Sequence, residues 1–136
     1  MSAQLWALAV AGAVVLAAAG LEAFRSRRAR RFATGATAAP AAEPYILYFT
    51  GDSCTVCKTH QEPALARLTG VRIDKVDAVE ERTLADRFHV YTLPTTVVMA
   101  SDGRALHVNY GYAPAPKLER QLAEARGGAL RTAATA

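Results

Sequence analysis

A chain of 136 residues has room for one small domain, and its 51% of hydrophobic residues overstates the core, because much of that share is alanine outside any foldable segment. The net charge of +4 is local: of the 16 Lys and Arg, five are Arg25, Arg27, Arg28, Arg30 and Arg31, and the other 11 are balanced by all of the 12 acids except Glu22. The chain beyond residue 31 is neutral, without the basic stripe that duplex binding requires, so no nucleic-acid partner is expected.

Residues 3–22 are almost wholly apolar, nearly the 20 or so that a helix needs to cross a hydrocarbon core of about 30 Å. Trp6 sits near one end, at interface depth, and the arginines close the other. A cleaved secretory signal would carry its positive charge before the apolar run; here it lies after the run, which favours an uncleaved single-pass anchor. The positive-inside rule then puts the rest of the chain in the cytoplasm. The extracytoplasmic alternative stays open, because an alanine-rich helix is only weakly hydrophobic and a small domain can translocate despite its flank. Residues 23–43 read as a basic flank and then a flexible linker, Ala-Thr-Gly-Ala-Thr-Ala-Ala-Pro, which lacks periodicity and large side chains.

The foldable part spans residues 44–127. Tyr45 to Thr50 is an aromatic and β-branched run, as expected of a central strand buried on both faces. Gly51-Asp52-Ser53 turns the chain into a helix beginning near Cys54, with Asp52 or Ser53 as cap, Leu65 and Leu68 inward, a kink at Pro63 and an end at Gly70. A partly covered strand is expected at Val71 to Asp77. The next element is a helix, with Glu80 and Glu81 at its start and Leu84 and Phe88 on one face. Thr95 to Ala100 and Ala105 to Tyr110 form a hairpin about Asp102-Gly103, and a last helix runs from Pro116 to Gly127 with Leu118, Leu122 and Ala125 inward. Residues 128–136 read as a disordered tail. A helical crossover favours parallel pairing of the first two strands, and the tight turn requires antiparallel pairing of the last two.

The two cysteines, Cys54 and Cys57, are too close in sequence to staple a secreted scaffold, so a redox or metal role fits better. At the helix start, unpaired N–H groups and the helix dipole favour the Cys54 thiolate, the nucleophile of disulfide exchange. Cys57, one turn deeper, can reach back to close a disulfide and so resolves the intermediate. Zinc would need four ligands, and only these two and His60 are near in sequence; no metal and no cofactor are expected. His60 is a candidate for tuning the thiols, set against the plainer reading of an exposed helical histidine. Tyr110 and Tyr112 read first as packing and second as contributors to a substrate surface.

Over about residues 44 to 126 the chain resembles the thioredoxin family. The resemblance rests on Cys54-Thr55-Val56-Cys57 at a strand–helix junction, on Leu93-Pro94-Thr95 opening the last pair of strands 37 residues after Cys57, and on Gly111 after the final strand. It implies a short thioredoxin-like α/β fold, a four-stranded mixed sheet with flanking helices, preceded here by the transmembrane helix. It also implies a cis Leu93-Pro94 bond against the dithiol, with the Leu93 backbone free to pair with an extended substrate segment. The chain departs from the family in having Ser53 instead of Trp before the first cysteine and Thr55-Val56 instead of Gly-Pro between the two. Tyr48 stands where the family has a buried acid, although Lys75 matches a lysine the family places nearby, which makes both candidates for tuning. The expected activity is thiol–disulfide exchange in a membrane-anchored protein, reducing a protein disulfide and recharged by an electron-donating reductase. The competing expectations are an extracytoplasmic reductase of envelope or cytochrome thiols, and a non-enzymatic adaptor or metal-binding domain.

Overall fold

The computed structural model describes residues 2–33 and 37–135. Its elements are helix α1 (Ala3–Ala33), strand β1 (Tyr45–Thr50), a π-helical turn (Cys57–Gln61) running into α2 (Glu62–Ala66), β2 (Ile73–Asp77), α3 (Arg82–Arg87), β3 (Thr95–Met99), β4 (Ala105–Tyr110) and α4 (Ala115–Thr135). The sheet order is β2-β1-β3-β4, with β1 parallel to β2 and antiparallel to β3, and β3 antiparallel to β4. This is the four-stranded mixed sheet with flanking helices of a thioredoxin-like fold.

All six residues of β1 are buried, because alternate side chains enter different cores on opposite faces of the sheet. Tyr45, Leu47 and Phe49 join Val76, Phe88, Val97 and Met99 beneath α3. Ile46 and Tyr48 join Cys57, Leu65, Val98, Leu118 and Leu122 beneath α2 and α4. The second cysteine is thus part of a core, whereas the first lies at its margin. Helix α4 is registered on the sheet by a buried amide pair in which Asn109 and Gln121 each donate to the other, at 2.8 and 2.9 Å. Pairing both amides offsets the cost of burying them and fixes the helix against β4.

Four expectations from the sequence are corrected. Helix α1 continues through the arginine cluster to Ala33, so the basic flank extends the helix that contains the apolar run. Residues 37–41, expected to be flexible linker, lie along the β3–β4 turn: the Ala38 amide donates to Gly103 O at 2.8 Å and the Ala41 amide to Ser101 O at 2.9 Å. Alanine makes that approach possible, and so does Gly103 at φ +89°, where an added Cβ would sit 2.3 Å from Ala38 O. The rest of that linker, residues 34–36, lies outside the described residues. The helix after β1 is shorter and less regular than expected. Pro63 has no N–H to bond back to the preceding turn, and the Glu62 amide donates instead to Cys57 O, five residues earlier. Lastly, α4 does not stop at Gly127, and residues 128–135 are helical, not a disordered tail. Gly127 and Gly128 do not take the positive φ of a helix stop, and the alanine-rich stretch beyond them has high helix propensity.

Candidate active site

The β1-to-helix junction presents the dithiol. Cys54 and Cys57 are joined in a disulfide, S–S 2.09 Å, with Cα atoms 5.3 Å apart. Cys54 is half-buried and Cys57 fully buried. Among the described residues the expected Asp52 or Ser53 cap does not form; the Cys57 N–H donates to Cys54 Sγ at 3.2 Å, so the first sulfur itself caps the helix. An amide aimed at that sulfur, backed by the helix N-terminus, stabilises negative charge on Cys54 once the pair is reduced.

Gly51, just before the turn, admits Leu93 over the site: a Cβ built on Gly51 would lie 3.1 Å from Leu93 Cδ1. The Leu93-Pro94 peptide bond is cis, Pro94 is buried and Leu93 half-buried. The carbonyl of Pro94 accepts from the Gly111 amide at 2.8 Å, with Gly111 at φ +84°, a conformation glycine adopts without steric cost. The structure therefore gathers Cys54, Cys57, Leu93, Pro94 and Gly111 at one end of the sheet.

The residues singled out for tuning fall on two sides. Tyr48 packs in the same core as Cys57, and its phenol donates to Thr50 Oγ1 at 3.2 Å. Lys75 is opposite Tyr48 in the β1–β2 register, and its Nζ donates to Glu62 Oε1 at 2.7 Å. His60 is exposed, hydrogen-bonded through Nδ1 to Thr59 Oγ1 at 2.8 Å, with its ring edge-on to Tyr112. Among the described residues no group of three or more His, Cys, Asp or Glu is placed to hold a metal ion. Sequence reasoning missed Glu62 and Gln61. Both are paired to partners distant in sequence, and a regular helical period gives no sign of either.

Electrostatics around Tyr48 yield a pH prediction. Burial pushes the Tyr48 phenol above its ordinary value, with the Thr50 bond partly opposing it, and burial does the same to Tyr45. The hydrogen bond to Glu62 raises Lys75. All three hold their protons longer folded than unfolded, so their contribution is fully present below the unfolded pKa values and is lost as pH rises through the folded ones. Stability to urea should fall above about pH 10. Tyr48→Phe should cost about 1 kcal/mol near neutrality, by removing the Thr50 bond, yet show a shallower alkaline decline. Urea midpoints across that range check this; a decline as steep as that of the unmodified chain would exclude Tyr48 as a contributor.

A dithiol of one half-buried and one fully buried cysteine at a helix start, packed in one cluster with the Leu93 of a cis Leu93-Pro94 bond, defines a protein of thiol–disulfide exchange. The sequence model of the thioredoxin-like domain family matches residues 33–126, and the chain belongs to that family. No curated protein sequence matches significantly. Among solved structures, mitochondrial thioredoxin 3 from Saccharomyces cerevisiae in its oxidized form is 27% identical, with TM-score 0.53 over 60% of this chain and 78% of that one. A mutant thioredoxin from Halobacterium salinarum is 25% identical, with TM-score 0.55 over 62% and 75%. Thioredoxin-2 of the malaria parasite, described as a component of its protein secretion machinery, is 25% identical, with TM-score 0.54 over 60% and 82%. Fold and dithiol together make this chain a thiol–disulfide oxidoreductase. Helix α1 is long and apolar enough, by length and composition, to cross a membrane.

Proposed function

We propose that the chain is a membrane-anchored reductase of protein disulfides whose domain faces the cytoplasm. The observation that carries the chemistry is the asymmetry of the dithiol: Cys54 is accessible and receives the Cys57 amide, while Cys57 is enclosed. Cys54 thiolate attacks one sulfur of a substrate disulfide, whose other sulfur leaves as a thiolate. Cys57, as thiolate, then attacks Cys54 Sγ in the mixed disulfide. The substrate departs as a dithiol, two electrons richer, and the protein is left as the Cys54–Cys57 disulfide until an electron-donating reductase restores it. The Leu93 backbone beside Pro94 pairs with the extended substrate segment. Tyr48 behind Cys57 and the Lys75–Glu62 pair beyond it set the field in which the second thiol ionises, and His60 lies on the outer rim.

The anchor reading is supported by the exposure of Leu5, Leu8, Val14, Val15 and Leu16, which leaves α1 apolar on every side, as in a lipid-facing helix. The arginines at its far end support the cytoplasmic side. The purified full-length chain in detergent, reduced beforehand, should reduce a protein disulfide one for one with its own dithiol; no reduction would sink the proposal. In intact cells a membrane-impermeant maleimide should leave Cys54 unlabelled while a permeant one reacts. Labelling by both would place the domain outside, as an extracytoplasmic reductase.

A further inference from the structure

Gln61 is wholly buried, and its side chain is satisfied by one distant residue: Nε2 donates to Ala113 O at 3.0 Å, and Oε1 accepts from the Ala113 amide at 2.9 Å. A primary amide bound to both backbone groups of a single residue imitates a rung of β-sheet across 52 positions of sequence. Buried without partners, the same amide would lose its hydration with nothing to replace it, so the pairing is strongly enforced. It acts on a short loop. Gly111 is held from the other side by Pro94 O, which leaves Tyr112 between two residues whose backbones are tied down. Tyr112 is 48% exposed, with its ring 6.0 Å from that of His60, and His60 is one helical turn beyond the exposed Val56 that separates the cysteines. Val56 and His60, exposed on the helix that follows Cys54, and Tyr112, exposed on the loop beside it, form one rim of side chains.

We propose that Gln61 is a positioning residue that holds Tyr112 in this rim, and that the rim selects disulfide substrates carrying a large apolar side chain beside the reactive cysteine. The proposal rests on the reductase reading and gives it a substrate class. An exposed aromatic ring alone would swing freely and lose side-chain entropy on every binding event. Clamping its backbone on both sides removes part of that loss and favours a partner that offers apolar area at one fixed place. The π-helical turn that carries Gln61 is a type of irregularity frequent at functional sites.

The test uses the full-length chain in detergent and two disulfide peptides that differ only in having Phe or Ser next to the cysteine. The unmodified chain should prefer the Phe peptide in kcat/KM by about tenfold, chiefly through KM. Tyr112→Ala should remove that preference, as should Gln61→Met, and the double variant should do no more than either alone. Equal use of both peptides by the unmodified chain, or effects of the two substitutions that multiply, would overturn the proposal. Turnover of neither peptide would instead overturn the reductase reading. If Gln61→Met fails to fold, exposed Tyr112→Ala still decides the recognition. Gln61→Glu, which keeps the acceptor for the Ala113 amide, then carries the coupling measurement.

Discussion

Cys54→Ser should reduce disulfide reduction by the full-length chain by roughly three orders of magnitude or more, to the background rate, whereas Cys57→Ser should leave the first step intact and accumulate mixed disulfides with substrate. The difference comes from accessibility. Cys54 is the less buried of the two and receives the Cys57 amide that stabilises its thiolate, and a serine alkoxide does not form near neutral pH to replace it. Cys57 is fully buried and can be reached only by a sulfur already bonded to Cys54. Non-reducing electrophoresis and mass analysis of Cys57→Ser after exposure to a protein disulfide would show the trapped adduct. Residual turnover in Cys54→Ser close to that of the unmodified chain would contradict the assignment of the nucleophile.

Phe88→Ala carries the largest expected effect on stability, about 3 to 5 kcal/mol. Phe88, at the C-terminal cap of α3, is fully buried, its ring 5.8 Å from that of Phe49, in the core on the side of the sheet away from Cys57. Truncation forfeits the transfer of a large ring from water and leaves a cavity that the rigid sheet behind it cannot close. A domain of this size has roughly 5 to 15 kcal/mol in all, so the variant would keep only part of its stability and its Tm should fall by at least about 12 °C. Thermal unfolding monitored by circular dichroism measures this. A loss under about 1 kcal/mol would mean that the α3 side contributes little to the fold.

The strands, the parallel pairing of β1 with β2 and the antiparallel pairing of β3 with β4 were legible from local signals, whereas the antiparallel pairing of β1 with β3 was not. The run Tyr45 to Thr50 has no polar break, and its six side chains alternate between two cores. Asp102-Gly103 fits a tight turn, and there the Asp102 carboxylate accepts from the Arg104 amide and guanidinium. Leu118, Leu122 and Ala125, spaced along one helical face, are all buried. The dithiol was legible for the same reason: two cysteines three apart at a strand–helix junction lie within one turn of each other and can close a disulfide.

Contacts between segments far apart in the chain were not legible. Nothing near Gln61 indicates that its amide meets Ala113, and nothing near Glu62 indicates that it pairs with Lys75. The stretch 37–41 has no periodicity, and its order comes from amides that bond the hairpin turn, which a local reading does not see. Gly127 read as a stop because glycine favours one, yet the stretch from Ala115 to Thr135 forms one continuous helix. Residue type and spacing thus carried the reaction class and the two sulfurs, properties of groups within one turn of each other. The surroundings of those sulfurs, with Tyr48 in the core of Cys57, Glu62 bonded to Lys75 and Tyr112 between the tied Gly111 and Ala113, depend on long-range pairing, which exists only once the sheet has brought the ends of the domain together.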